Sequence, residues 1–148
     1  MSRETAAPSA PRRAQAPVAI APTVLLVAAH ALVLLAHEVA HRRLGIDLAP
    51  WQTAYAYVVI AAGPLAALVL ARLRPRIGYA LLTLTMAAAL VFAVYHHYVA
   101  VSPDHVAHLP PGDAGALFCW TAAVLAVIEA AGVAVGWRAH ARLRRFSA

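Results

Sequence analysis

Four long apolar runs, roughly Val18 to His41, Trp51 to Ala71, Ile77 to Val101 and Ala114 to Trp137, follow one another with only short connectors between them. Each run is long enough to cross about 30 Å of hydrocarbon as a helix. An unpaired peptide group in lipid costs several kcal/mol, so a spanning segment must be helical or belong to a closed barrel. None of the runs shows the strict alternation of a barrel strand. The expected fold class is therefore all-α, an integral membrane bundle of four transmembrane helices. The composition agrees: 63% of the residues are hydrophobic and 12% are charged. A soluble domain of 148 residues could not bury that much apolar surface.

The charges lie where they orient helices. All twelve basic residues are arginine, a usage that, with the abundant alanine, points to a GC-rich bacterial genome. Residues 1–17, rich in Ala, Pro and Ser, read as a disordered N-terminal tail, residues 18–137 as the membrane domain, and residues 138–148 as a basic C-terminal tail. Arg12 and Arg13 precede a run too long for a cleaved signal, so that run is expected to remain as the first helix. The N-terminal tail, the connector with Arg72, Arg74 and Arg76, and the end with Arg138, Arg142, Arg144 and Arg145 must share one side. By the positive-inside rule that side is cytoplasmic, which puts both termini in the cytoplasm of a multi-pass protein of the cell membrane. The net charge of +6 is thus a topology signal, and nucleic acid is not an expected partner; the lipid bilayer is. The single cysteine, Cys119, excludes an intrachain disulfide and a thiolate metal cluster.

Two prolines interrupt apolar runs. Pro22 fits the first turn of a helix, whereas Pro64, after Gly63, is expected to kink the second helix, because a proline removes one backbone donor and crowds the preceding turn. The small residues around it, Ala61, Ala62, Gly63, Ala66 and Ala67, would admit a neighbouring helix closely.

Chemistry concentrates near the end of the first helix. His37-Glu38-Val39-Ala40-His41 has the HExxH spacing, in which two imidazoles one turn apart can hold zinc while the glutamate handles a proton. At 100° per residue His30, His37 and His41 lie within about 20° of one direction, with Glu38 turned roughly 100° away from His37. Chance would yield this motif in roughly two of a hundred shuffled chains of the same composition. The plainer alternative is that these side chains only mark the headgroup level.

Further histidines gather on the same face. His96 and His97, between Tyr95 and Tyr98, end the third run, and Asp104, His105 and His108 follow in the loop. Each of these four histidines alone is at home in an interface; together with His37 and His41 they form a cluster. Glu129 lies inside the fourth run, about 22 Å of helix from its outer end, which would place it deeper than His30 and away from the cluster. An intramembrane carboxyl is either hydrogen-bonded and neutral or part of a proton path. No specific role is expected of His140.

Three short motifs resemble the intramembrane zinc metalloproteases of the site-2 protease type. His37 to His41 followed by Arg42-Arg43-Leu44-Gly45-Ile46 is similar to that family's first motif. Ala62-Gly63-Pro64-Leu65-Ala66 is similar to its small-residue segment, and Leu109-Pro110-Pro111-Gly112-Asp113-Ala114-Gly115 to its proline-rich motif. The resemblance implies zinc held by His37, His41 and Asp113, Glu38 as the catalytic base that activates water, and a membrane-spanning peptide as substrate. The sequence departs from the family pattern in lacking the asparagine before the prolines and in replacing an Asp-Gly pair by Asp113-Ala114. Many relatives also keep zinc toward the cytoplasm, whereas the arginines here put the cluster on the opposite face. Taken from the residues alone, His96, His97, His105 and His108 are alternatives for the third ligand.

Three functions remain open at this point. The leading one is a zinc-dependent membrane hydrolase. The second is a redox protein in which imidazoles from two helices bind haem or copper, although no methionine joins the His-rich face to suit reduced copper. The third is an accessory subunit whose small-residue faces pack into a larger membrane complex.

Overall fold

The computed structural model describes residues 20–145; the expected N-terminal tail and residues 146–148 lie outside them. The described chain is helical, with four helices long and apolar enough to cross a membrane: α1 (Ala21–Leu44), α2 (Pro50–Leu73), α3 (Pro75–Val99) and α4 (Asp113–Arg145). Their outer faces carry large apolar side chains such as Leu25, Leu32, Val58, Leu84, Val91 and Val127, each more than 65% exposed. Such faces are stable only against lipid, which fits a multi-pass membrane protein.

The helix ends follow local chemistry. Pro22 occupies the first turn of α1, where its missing N–H goes unneeded. The helix stops at Gly45, whose φ of 65° places it in the left-handed region. There the Gly45 N–H donates to the Arg42 carbonyl (3.2 Å) and the Ile46 N–H to the His41 carbonyl (3.1 Å), a Schellman closure that fixes the backbone directly after the HExxH residues. In α2 the stretch Ala56–Ala62 is a π-helix, and an α-helix resumes at Gly63 with Pro64 in its first turn. The expected disturbance at Pro64 is therefore absorbed as a widened turn ahead of the ring. The last turn of α3, Tyr95–Val99, is also π-helical.

Helix α4 is the organising element, packing against α1 on one side and α3 on the other, while α2 packs on α3. Close approach of α3 and α4 depends on Gly132 and Gly136, one turn apart. A Cβ on Gly136 would lie 2.9 Å from the Thr83 backbone nitrogen and 3.0 Å from the Tyr79 carbonyl oxygen. The small residues of α2 act in the same way: Gly63 faces Thr85 of α3, and Ala67 is fully buried. An apolar core of Val27, Ala67, Ala71, Tyr79, Leu82, Met86 and Ala139 fills the arginine-rich half of the bundle.

The 33 residues of α4 span about 50 Å at 1.5 Å per residue, more than the hydrocarbon needs. The basic segment expected as a tail from residue 138 is therefore helix as far as Arg145, and its polar groups are used. His140 Nδ1–H donates to the Arg76 carbonyl at 3.1 Å, and the Arg76 guanidinium donates to the Leu143 carbonyl at 3.1 and 3.3 Å. His140 thus ties the start of α3 to the end of α4, a specific role that its sequence position does not suggest.

Candidate metal centre

At the other end of the bundle the histidine stripe of α1 turns inward. His30, His37 and His41 are all buried, at 1%, 5% and 7% exposure. His97 meets them from the π-turn of α3, four residues after Ala93 on the stripe that α3 buries. One nitrogen from each of His37, His41 and His97 lies within 4.8 Å of the other two. The ring centroids are 4.9 Å apart for His37–His41 and 5.0 Å for His37–His97, and all three rings pack on the fully buried Phe118 of α4.

The hydrogen bonds around the cluster fix which nitrogens are free. Thr121 donates its hydroxyl to the Leu117 and Phe118 carbonyls at 2.7 and 3.0 Å, so its oxygen accepts from His37 Nδ1–H at 2.8 Å. The proton is then on Nδ1, and the buried Nε2 of His37 keeps its lone pair with no partner. His97 Nδ1–H donates to the carbonyl and the carboxylate of Asp104, both at 3.3 Å, which turns its Nε2 the other way. The buried Nδ1 of His41 also has no partner. Orphaned buried nitrogens are costly. A carboxylate or hydroxyl holding the far side of an imidazole is the usual surrounding of a metal-ligating histidine.

Asp104 itself sits in the loop after α3. Burial alone would push its carboxyl up, but the hydrogen bonds from the His97 ring and from the Ser102 hydroxyl (2.6 Å) bring it down to about 2. It therefore stands as a fixed negative charge behind His97.

The cluster forms one wall of a cavity of about 520 Å³ lined by residues of all four helices. Apolar side chains such as Leu34, Ile60, Phe92 and Leu125 line most of it, and Glu38, Asp104 and Glu129 also reach it. Glu38 is half-exposed at the rim, where Arg42 Nε donates to its Oε1 at 2.9 Å. The three-nitrogen arrangement suits a divalent transition metal with one position left open. A Zn–N bond of about 2.0–2.1 Å would put ligand nitrogens about 3.3 Å apart, so binding would draw the rings together by at most about 1.5 Å.

The structure brings two members of the sequence-derived ligand set together. His37 and His41 come together, and the third imidazole beside them is His97. Asp113 does not join them: it is the first residue of α4 and is exposed. The other histidines are engaged elsewhere. His96 turns toward α2, its Nδ1 3.3 Å from Gln52 Nε2, and His105 and His108 pair with each other in the loop, ring centroids 4.7 Å apart. Thr121 and Phe118 are functional neighbours that sequence reasoning missed. The available signal for Thr121 was weak: it is the only hydroxyl side chain in the fourth apolar run.

Glu129 corrects a second expectation. It does not lie deeper than His30 but meets it, Oε1 to Nε2 at 3.4 Å, with both residues 1% exposed. Helix α4 begins farther out than α1 ends, so counting down from its apolar boundary overstates depth.

No family model, curated protein or solved structure matches this chain. The likeness to site-2 proteases rests on its three short motifs.

Proposed function

We propose that this protein is a zinc-dependent hydrolase of the membrane, with His37, His41 and His97 as the metal ligands and Glu38 as the catalytic base. The observation that carries the reading is the free nitrogen set. Two buried imidazole nitrogens have no partner, the remaining nitrogens of His37 and His97 are held from behind, and all three rings border the cavity that Glu38 also reaches. Zinc bound there would supply a Lewis acid and lower the pKa of water at neutral pH.

The chain's own residues account for the rest. Glu38 accepts a proton from the attacking water and returns it to the leaving nitrogen as the amide bond breaks. Until then the bond from Arg42 orients its carboxylate. The apolar walls keep bulk water out and suit an unwound segment of a membrane-spanning peptide, the substrate we infer. The arginine-rich end faces the cytoplasm, and the cavity opens toward the opposite side of what we take to be a bacterial cell membrane.

The haem form of the redox alternative fits less well. The His37 and His97 rings are in edge contact, with no slot between them for a porphyrin. The test is elemental analysis and a cleavage assay on detergent-purified protein with a transmembrane peptide. His37→Ala and His97→Ala should each lose one zinc equivalent, and Glu38→Gln should keep the metal and lose cleavage. Cleavage by Glu38→Gln, or a haem band or stoichiometric copper, would overturn the assignment; a metal-free wild type would favour an accessory subunit of a larger membrane complex.

A further inference from the structure

A second polar pair lies on the same helix interface, one step deeper. His37 meets Thr121, and His30 meets Glu129, seven residues away along α1 and eight along α4. Antiparallel helices keep that register, so the two pairs are about 10–12 Å apart along the bundle. Glu129 lines the same cavity as the three histidines, and its Oε2 is buried with no partner. A buried carboxyl oxygen left without a partner among apolar side chains is costly. Every arginine in the described chain lies near a helix end, and the one that borders this cavity, Arg42, is paired with Glu38 at its rim.

The contact to His30 is long for a hydrogen bond between charged groups, which usually measure about 2.7–2.9 Å. The 3.4 Å contact is a long hydrogen bond, and it is also close to the roughly 3.3 Å separation of two ligands on one ion with bonds near 2.0–2.1 Å. The donors at hand are an imidazole nitrogen and both carboxylate oxygens, a set that suits zinc or a similar divalent metal, with the cavity side left for water. We propose that Glu129, on the floor of the cavity, and His30, behind it, form a second divalent-cation site, reached through the same opening as the three-histidine centre and independent of it. The two positions are too far apart for a bridged pair, whose ions sit about 3.5–4 Å from each other. Their occupancies therefore add.

The experiment is zinc stoichiometry on detergent-purified full-length protein, in a background carrying His105→Ala and His108→Ala so that the loop imidazoles do not contribute. Zinc alone is the probe, and helical content by circular dichroism confirms folding of each variant. Two zinc ions per chain are expected. Glu129→Gln and His30→Gln should each leave one, and His37→Ala should also leave one, the other one. A single zinc that persists in Glu129→Gln and disappears in His37→Ala would overturn the second site and leave the hydrolytic centre standing. A single zinc that disappears in Glu129→Gln and persists in His37→Ala would uphold the second site and remove the proposed catalytic one. An infrared band of a protonated carboxyl, unchanged by saturating zinc and abolished in Glu129→Gln, would assign the pair to a proton and overturn the metal site.

Discussion

His37 Nδ1 lies 2.8 Å from Thr121 Oγ1, and the Thr121 hydroxyl is itself committed to the backbone one turn earlier in α4. A hydroxyl that has spent its proton on a carbonyl can only accept, so a single side chain on one helix sets the tautomer of a candidate ligand on another. Thr121→Val keeps the shape and removes the acceptor. Zinc affinity, measured by competition with a chelating dye, should fall about 10–100-fold, with the helical signal unchanged. Unaltered affinity would mean that the imidazole does not need this partner.

The third ligand is decided by a pair of variants. Asp113→Asn should leave zinc affinity where it was, because that side chain is exposed and absent from the cluster. Asp104→Asn removes the negative charge behind His97 and should weaken binding by about 10-fold or more. The opposite pattern in the same titration would restore the motif-based ligand set and displace His97.

Arg42 and Glu38 form an exposed pair one turn apart, a class of interaction that contributes little to stability. Arg42→Gln should leave the unfolding midpoint and the zinc content unchanged while altering the rate of cleavage, since it frees the carboxylate that we assign as base. A large drop in the midpoint would show that the pair is structural.

Packing of α3 on α4 should be least tolerant at Gly136. Its added methyl meets backbone atoms of Thr83 and Tyr79, whereas one at Gly132 meets the flexible end of Met86. Gly136→Ala is expected to cost about 1–3 kcal/mol, and Gly132→Ala less. Equilibrium unfolding in mixed detergent would rank the two, and equal effects would argue against a rigid contact at Gly136.

These contrasts also show what the residues disclose before folding. The spans were legible because length and hydropathy act on each segment alone, and the pairing of His37 with His41 because both ride one helix at a fixed pitch. His97 could not be told from His96, since a one-residue step in a π-turn decides whether a ring meets α1 or Gln52 of α2. The position of Asp113 could not be read from its motif, because spacing does not say where the first side chain of a helix points. The depth of Glu129 failed for a similar reason: it depends on how far α4 overhangs its neighbours, and only interhelical pairs such as His30–Glu129 report that offset. Gly132 and Gly136 carry a close-packing spacing in the sequence, but spacing alone does not name the partner helix.

The apolar core around Val27, Leu82 and Met86 closes the arginine-rich half of the bundle, so the cavity is a well sunk from one face. A cation descending that well to Glu129 crosses part of the electrical potential drop of the membrane, worth about 2.3 kcal/mol per unit charge per 100 mV for a full crossing. A divalent ion carried through half of the drop would be biased by about the same amount. With the arginine-rich end cytoplasmic, as we propose, the floor of the well in an energised cell, interior negative, would fill at ion concentrations too low to fill it in detergent, and it would empty when the potential collapses.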